Sequence, residues 1–145
     1  MPGIYAAGDT AEAIDIARQT RWVNAIWPEA AAQGRVAGLN MAGRRVRYPG
    51  SLSRNVMRVY DLDVMTGGYA NPGKDEGFRQ VSTGGENQGY YRSLVFRDDI
   101  LVGAVLINRI EQGGVLRALI ENRIPVRVPA NILMSPGFNF SKLLK

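Results

Sequence analysis

The sharpest chemical feature of the sequence is Asp9, which follows the apolar run Ile4-Tyr5-Ala6-Ala7 and Gly8. A carboxylate just past a short strand can accept hydrogen bonds from the hydroxyls of a ribose or ribitol chain, and open α/β sheets bind ligands at the carboxyl ends of their strands. The same pattern suits an Asx-turn or a helix N-cap, which Asp performs very often. A second feature is the helix start at Pro28, with Glu29 in the first turn. Proline at a first helical position costs no hydrogen bond, and the free amides and dipole there favour an anionic or electron-rich atom. Every helix has such an end. Only its pairing with Asp9 would clamp two parts of one extended ligand.

Other candidates carry less chemistry. Asp98-Asp99 lies between two apolar stretches and reads as a hairpin turn rather than a catalytic pair. Trp22 and Trp27 can stack on an aromatic ligand or pack at an interface. The pairs Gly84-Gly85 and Gly113-Gly114 lack G-x-G-x-x-G or P-loop spacing and read as turns. The chain has no histidine and no cysteine. That removes a thiol nucleophile, thiolate metal sites, disulfides and the commonest general base. No catalytic residue and no metal site are assigned.

At 145 residues and 46% hydrophobic content the chain can bury a core. Its longest apolar run, residues 100–107, falls short of the ~20 residues a membrane span needs. The first residues lack the charged and apolar regions of a signal peptide. A cytoplasmic protein without membrane contact is expected. The net charge of +5 comes mostly from arginines spread along the chain, with a local cluster at Arg44, Arg45 and Arg47. No nucleic-acid-binding motif accompanies them, so solvated surface is expected rather than nucleic-acid contact.

Periodicity supplies the elements that must hold these residues. Residues 4–7 read as a buried strand and 10–24 as a loop with a helical turn. From Pro28 to Met41, Ala32, Val36, Leu39 and Asn40 share a 3.6-residue period. Gly34 and Gly38 leave one bare helix face, and Gly43 is placed to cap the C-terminus. Turn chemistry at 48–51 marks a boundary, after which the chain turns β-rich. Strands are expected at 55–60, 63–68, 78–83 (an edge), 90–97 and 100–107. The last is apolar on both faces and should lie centrally, covered on both sides. Residues 70–77 and 84–89 read as turns. Residues 115–123 form an amphipathic helix stopped by Pro125, and Pro129 and Pro136 keep the tail mostly irregular. Phe138, Phe140, Leu143 and Leu144 are then left to dock on a partner or on a missing part of a longer protein.

The run Pro2-Gly3-Ile4-Tyr5-Ala6-Ala7-Gly8-Asp9 resembles the second FAD-binding motif of the pyridine nucleotide-disulfide oxidoreductases, a strand of the form I-Y/F-A-x-G-D. Asn24-Ala25-Ile26-Trp27-Pro28 and the segment from Ala32 to Gly43 resemble the A-x-x-Q-G-R-x-A-x-x-N-M-x-G helix of one branch of that family. That branch holds NADH oxidases, rubredoxin reductases and nitrite-reductase-type flavoproteins. Residues from about Ser51 onward are similar to its small C-terminal domain.

The resemblance implies an α+β fold. Its parts are the terminal strand and helix of an FAD-binding α/β domain (1–43), a linker (44–50) and a small antiparallel-sheet-plus-helix C-terminal domain (51–145). That last domain would mediate dimerisation or cover the flavin. The resemblance further implies that Asp9 bonds the ribitol of FAD while Gly8 gives backbone approach. The turn at Trp27, Pro28 and Glu29 would aim amides at the pyrimidine edge of the isoalloxazine. The first FAD fingerprint, the nicotinamide-dinucleotide fingerprint and the redox cysteine are absent here and are expected upstream. The chain is therefore expected to be the C-terminal part of an FAD-dependent NAD(P)H oxidoreductase, inactive alone. Expected partners are the missing N-terminal FAD and NAD domains, a second copy, and a small acidic redox protein. The alternative is a self-contained, non-enzymatic protein-interaction module.

Overall fold

Hydrogen bonding and packing divide the chain into two units, Met1–Ser53 and Arg54–Lys145. The computed structural model describes residues 3–73, 77–135 and 137–144. In the first unit, β1 (Ala13–Ile14) pairs antiparallel with β2 (Arg21–Trp22). These strands lie inside the stretch expected to be a loop. Helix α1 (Trp27–Met41) follows, with proline in its first turn. Its C-terminus closes as expected at Gly43. The Arg44 amide donates to the Leu39 carbonyl and the Gly43 amide to that of Asn40, while Gly43 takes a φ of 84°. That double closure satisfies carbonyls the helix cannot pair itself, and it needs the left-handed residue that glycine supplies.

Residues 4–7 depart from expectation. They lie outside any strand, and Ile4 and Tyr5 are exposed. Four residues form a strand only beside another strand, and none among the described residues lies alongside them.

The second unit is built on a five-stranded antiparallel sheet: β3 (Arg54–Val59), β4 (Leu62–Gly68), β5 (Arg79–Gly85), β6 (Tyr90–Arg97) and β7 (Ile100–Ile107). Their order is β3-β4-β7-β6-β5, which places β7 inside and β5 at an edge, as the patterning predicts. Asp98 adopts the left-handed conformation in the β6–β7 turn, a position Asp tolerates better than most residues. The expected turn at 70–77 falls partly on residues 74–76, outside the described residues.

Register sets Met65, Gly67, Leu94, Ala104 and Leu106 on one face. Helix α2 (Gly113–Glu121) covers that face through Leu116, Leu119 and Ile120, each fully buried and each contributing roughly 1.5–3 kcal/mol. Gly113 therefore starts this helix rather than making a turn, and it seats directly on Met65. On the opposite face of β7, Gly103 meets backbone. A Cβ on Gly103 would stand 2.2 Å from the Tyr69 carbonyl oxygen, so only glycine lets the chain after β4 pass there.

The tail also departs from expectation. Val126, Leu133 of the short helix α3 (Ala130–Leu133) and Phe140 all belong to the core of their own unit. The Gln112 side chain holds the tail from both sides, donating to the Phe138 carbonyl (2.9 Å) and accepting from the Phe140 amide (2.8 Å). Leu144 stays exposed, and Pro136 lies outside the described residues. Arg92 is buried beneath this tail, its guanidinium 5.2 Å from the Phe140 ring and donating to the Leu133 carbonyl. Burial lowers its pKa from the ordinary arginine value. Three further arginines lie on rings: Arg79 over Phe96, Arg97 over Phe78 and Arg109 over Tyr90. Four arginines of this unit thus lie against aromatic rings.

Two glycine substitutions should move stability in opposite directions. Gly103→Ala should lower the urea midpoint by an amount corresponding to about 1–3 kcal/mol, because a backbone carbonyl occupies the new atom's place. Gly114→Ala, whose Cβ meets nothing within 4 Å on a helix, should raise it by up to ~1 kcal/mol.

Candidate functional site

The residues singled out by chemistry converge on the start of α1. Gly8 takes a φ of 84°, and its amide donates to the Gln33 side-chain oxygen at 2.8 Å. A Cβ at Gly8 would meet Ala30 at an ordinary 3.6 Å, so backbone conformation rather than space calls for glycine. The Ala11 amide closes the turn onto the Gly8 carbonyl. The Gly8-Asp9 turn is thereby fastened against the first two turns of α1, and Asp9 is left exposed at its crest.

At the helix start the donors are fewer than expected. Pro28 has no N–H, and the amides of Glu29 and Ala30 both donate to the Ile26 carbonyl (3.0 and 3.1 Å). The Trp27 amide has no partner among the described residues, so it is the first-turn donor open to a ligand. The Trp27 side chain is 81% exposed, which rules out a packing role within its unit. Glu29 points inward. It is only 4% exposed, and its carboxylate accepts from the Tyr48 hydroxyl at 2.5 Å. Trp22 is half-exposed beneath the Arg18 guanidinium, 4.7 Å from its ring centre.

A polar network that sequence reasoning missed sets the approach to this site. Asp15 and Ser51 are completely buried. Asp15 accepts from the Arg18 amide (2.7 Å), the Arg18 guanidinium (3.2 Å) and the Asn24 side chain (2.7 Å). The Asn24 amide nitrogen also donates to the Ser51 hydroxyl at 2.8 Å. The Asn24 carbonyl accepts from Ile26, the residue before α1. The network therefore runs from a buried acid to the first turn of the helix. Its only signal in the sequence is the Asp15-x-x-Arg18 spacing, which any polar loop can show. Gln33 showed in the sequence only as the glutamine of the helix motif and Tyr48 only as an aromatic residue in a turn, neither with any sign of its partner.

An open cavity of about 630 Å³ lies in this unit, lined by Tyr5, Gln33, Val36, Arg47 and Tyr48 among others. A Cβ at Gly34 or Gly38 would meet nothing within 4 Å, so the bare helix face expected from their spacing is open.

Comparison with known proteins gives these features a context. The family described as rubredoxin NAD+ reductase C-terminal domain matches residues 54–124. The epsilon subunit of NADH-dependent phenylglyoxylate dehydrogenase from Aromatoleum evansii is 33% identical over 123 residues, covering 83% of this chain. The chain spans 28% of that relative's length. Among solved structures, the complex of putidaredoxin reductase with putidaredoxin matches with a TM-score of 0.75 and 18% identity, covering 96% of this chain and 32% of the other. An FAD-dependent pyridine nucleotide-disulphide oxidoreductase from Desulfovibrio vulgaris matches with a TM-score of 0.70 and 18% identity, over 84% of this chain and 32% of the other. The α+β architecture agrees with theirs.

Replacing Asp15 with alanine should cost on the order of 3 kcal/mol, because the buried Asn24 amide would lose one of its two acceptors and Arg18 its carboxylate partner. Denaturant unfolding followed by tryptophan fluorescence would show it as a lowered midpoint.

Proposed function

We propose, from the premise that the chain belongs to the pyridine nucleotide-disulfide oxidoreductase family and carries its rubredoxin NAD+ reductase C-terminal domain, that it forms the C-terminal part of an FAD-dependent NAD(P)H oxidoreductase. One observation supports this most directly. An exposed carboxylate at Asp9 is fastened through Gly8 and Gln33 to the same helix whose first turn leaves the Trp27 amide open. An acceptor for hydroxyls and a donor at a positive helix end are the groups that FAD asks for at its ribitol chain and its pyrimidine edge. The donor set fits the cofactor.

In this reading Asp9 accepts from a ribitol hydroxyl and Gly8 lets the chain approach closely. The turn of Trp27, Pro28 and Glu29 presents its amide where negative charge gathers on the flavin. Bound FAD would take a hydride from NAD(P)H, itself held upstream, and pass electrons to the acceptor. Residues 1–43 complete the FAD domain, 44–50 connect, and 51–145 serve as the interface domain. The chain by itself is not catalytic.

The surfaces support partners of three kinds. Exposed Ile4 and Tyr5 and the open Gly34/Gly38 face suit packing against upstream FAD and NAD domains. The edge strand β3 exposes Val56, Met57 and Val59, which supports a homodimer. The net charge of +5 suits a small acidic redox protein as electron acceptor. Among the described residues no helix is long and apolar enough to cross a membrane, and the reading includes a cytoplasmic setting.

The full-length protein should be yellow as purified and should bleach with NADH or NADPH under anaerobic conditions. A colourless, fully folded protein that reconstitution with FAD leaves colourless would refute the assignment. Asp9→Ala should weaken FAD retention by about 1–3 kcal/mol, the worth of a lost hydrogen bond to a charged group, measured as the FAD dissociation constant by fluorescence.

A further inference from the structure

Residues 44–50 are more than a connection. Val46 is clasped by the Asn40 side chain, which donates to its carbonyl (2.8 Å) and accepts from its amide (3.2 Å). Beyond Tyr48, Gly50 lies against the Ile14 carbonyl, and the Ser51 amide donates to that same carbonyl. Ser51 then enters the network of Asp15 and Asn24. Tyr48 is thus held on both sides, and the strand of chain runs back along α1 from its last turn toward its first. The Tyr48 hydroxyl meets the carboxylate of Glu29 there.

Glu29 belongs to the helix turn that leaves the Trp27 amide open, and it is almost wholly buried. A buried carboxylate is screened far less than a surface one, so its charge acts through the surrounding turn. It opposes the positive potential of the helix N-terminus. A hydroxyl donated to it draws off part of that charge. The helix end, the carboxylate and the hydroxyl donated to it therefore all act on the potential at the Trp27 amide.

We infer that the Tyr48–Glu29 pair is a positioning and tuning element that sets the reduction potential of the flavin through the first turn of α1. This rests on the flavin site proposed above. Glu29 lowers the potential by opposing negative charge on the bound ring, and Tyr48 moderates that effect while holding the turn. Neither residue touches the reacting atoms.

Two near-isosteric substitutions separate this role from simple structural support. Glu29→Gln keeps an oxygen to accept from Tyr48 but removes the charge. Tyr48→Phe keeps the ring but removes the donor. In the full-length flavoprotein, spectroelectrochemical titration should place the Glu29→Gln midpoint above wild type by about a tenfold change in the reduction equilibrium, ~30 mV for a two-electron couple. Tyr48→Phe should shift it downward. Shifts of both variants in one direction would mean only that the turn has loosened, and would overturn the inference. Flavin retained at the wild-type potential in Glu29→Gln would overturn it too, with the flavin site left standing. A wild-type protein that holds no flavin would remove the site and this inference together.

Discussion

A single side-chain amide, that of Asn24, carries much of the burden in the first unit. Its nitrogen donates at once to the buried carboxylate of Asp15 and to the buried hydroxyl of Ser51, residues far apart in the chain. A buried charge is tolerated only when its oxygens are occupied, and here the donors come from the Arg18 backbone, its guanidinium and Asn24. Because Asn24 lies just before α1, satisfying the acid also fixes where the helix begins. The open Trp27 amide, the seat of Gly8 on Gln33 and the return of residues 44–50 all refer back to that starting point. The candidate site is exposed, yet its geometry is determined by groups that water barely reaches.

The second unit obeys a different constraint, which is steric. A sheet strand that is apolar on both faces must be covered twice. On one face three residues of α2 do so in the usual way. On the other, backbone presses against Gly103, where no side chain would fit. The tail then closes the core with Phe140, tied by a glutamine acting as a substitute strand edge. Electrostatics plays a supporting part, with arginines laid over aromatic rings at four places in this unit. Rigid packing in one unit and a polar lattice in the other suit the proposed division of labour between an interface domain and a cofactor wall.

Legibility in the sequence followed the range of the interactions. The strands of the sheet carry their own alternation or apolar runs even though β4 pairs with distant β7, while the Asp98-Asp99 turn, α2 and the Gly43 closure of α1 depend on neighbours within a few residues, and each was readable. Residues 4–7 were not, since strand character there needs a partner that local pattern cannot supply. The β1–β2 pair was hidden because two-residue strands carry no periodicity. The tail looked irregular for a related reason: its prolines are local, while the contacts of Leu133 and Phe140 that bury it come from distant α2 and β6. At the site, Asp9 and the helix start were legible as residue types. Gln33 and Tyr48 were not, because their partners lie 25 and 19 residues away.

The amino-acid sequence by itself determined the α+β class, the five strands of the sheet together with α1 and α2, the turns that need glycine or aspartate, and the absence of histidine and cysteine chemistry. It also carried the resemblance that points to a flavin. The tertiary structure decided which groups remain available. It withdrew the amides of Glu29 and Ala30 into the Ile26 carbonyl and left that of Trp27 open. It turned Glu29 inward onto Tyr48 and set Asp15 at the centre of a buried network. The physical reason is that a donor or acceptor is defined by whether a partner already satisfies it, and partners distant in sequence meet only when the chain has folded.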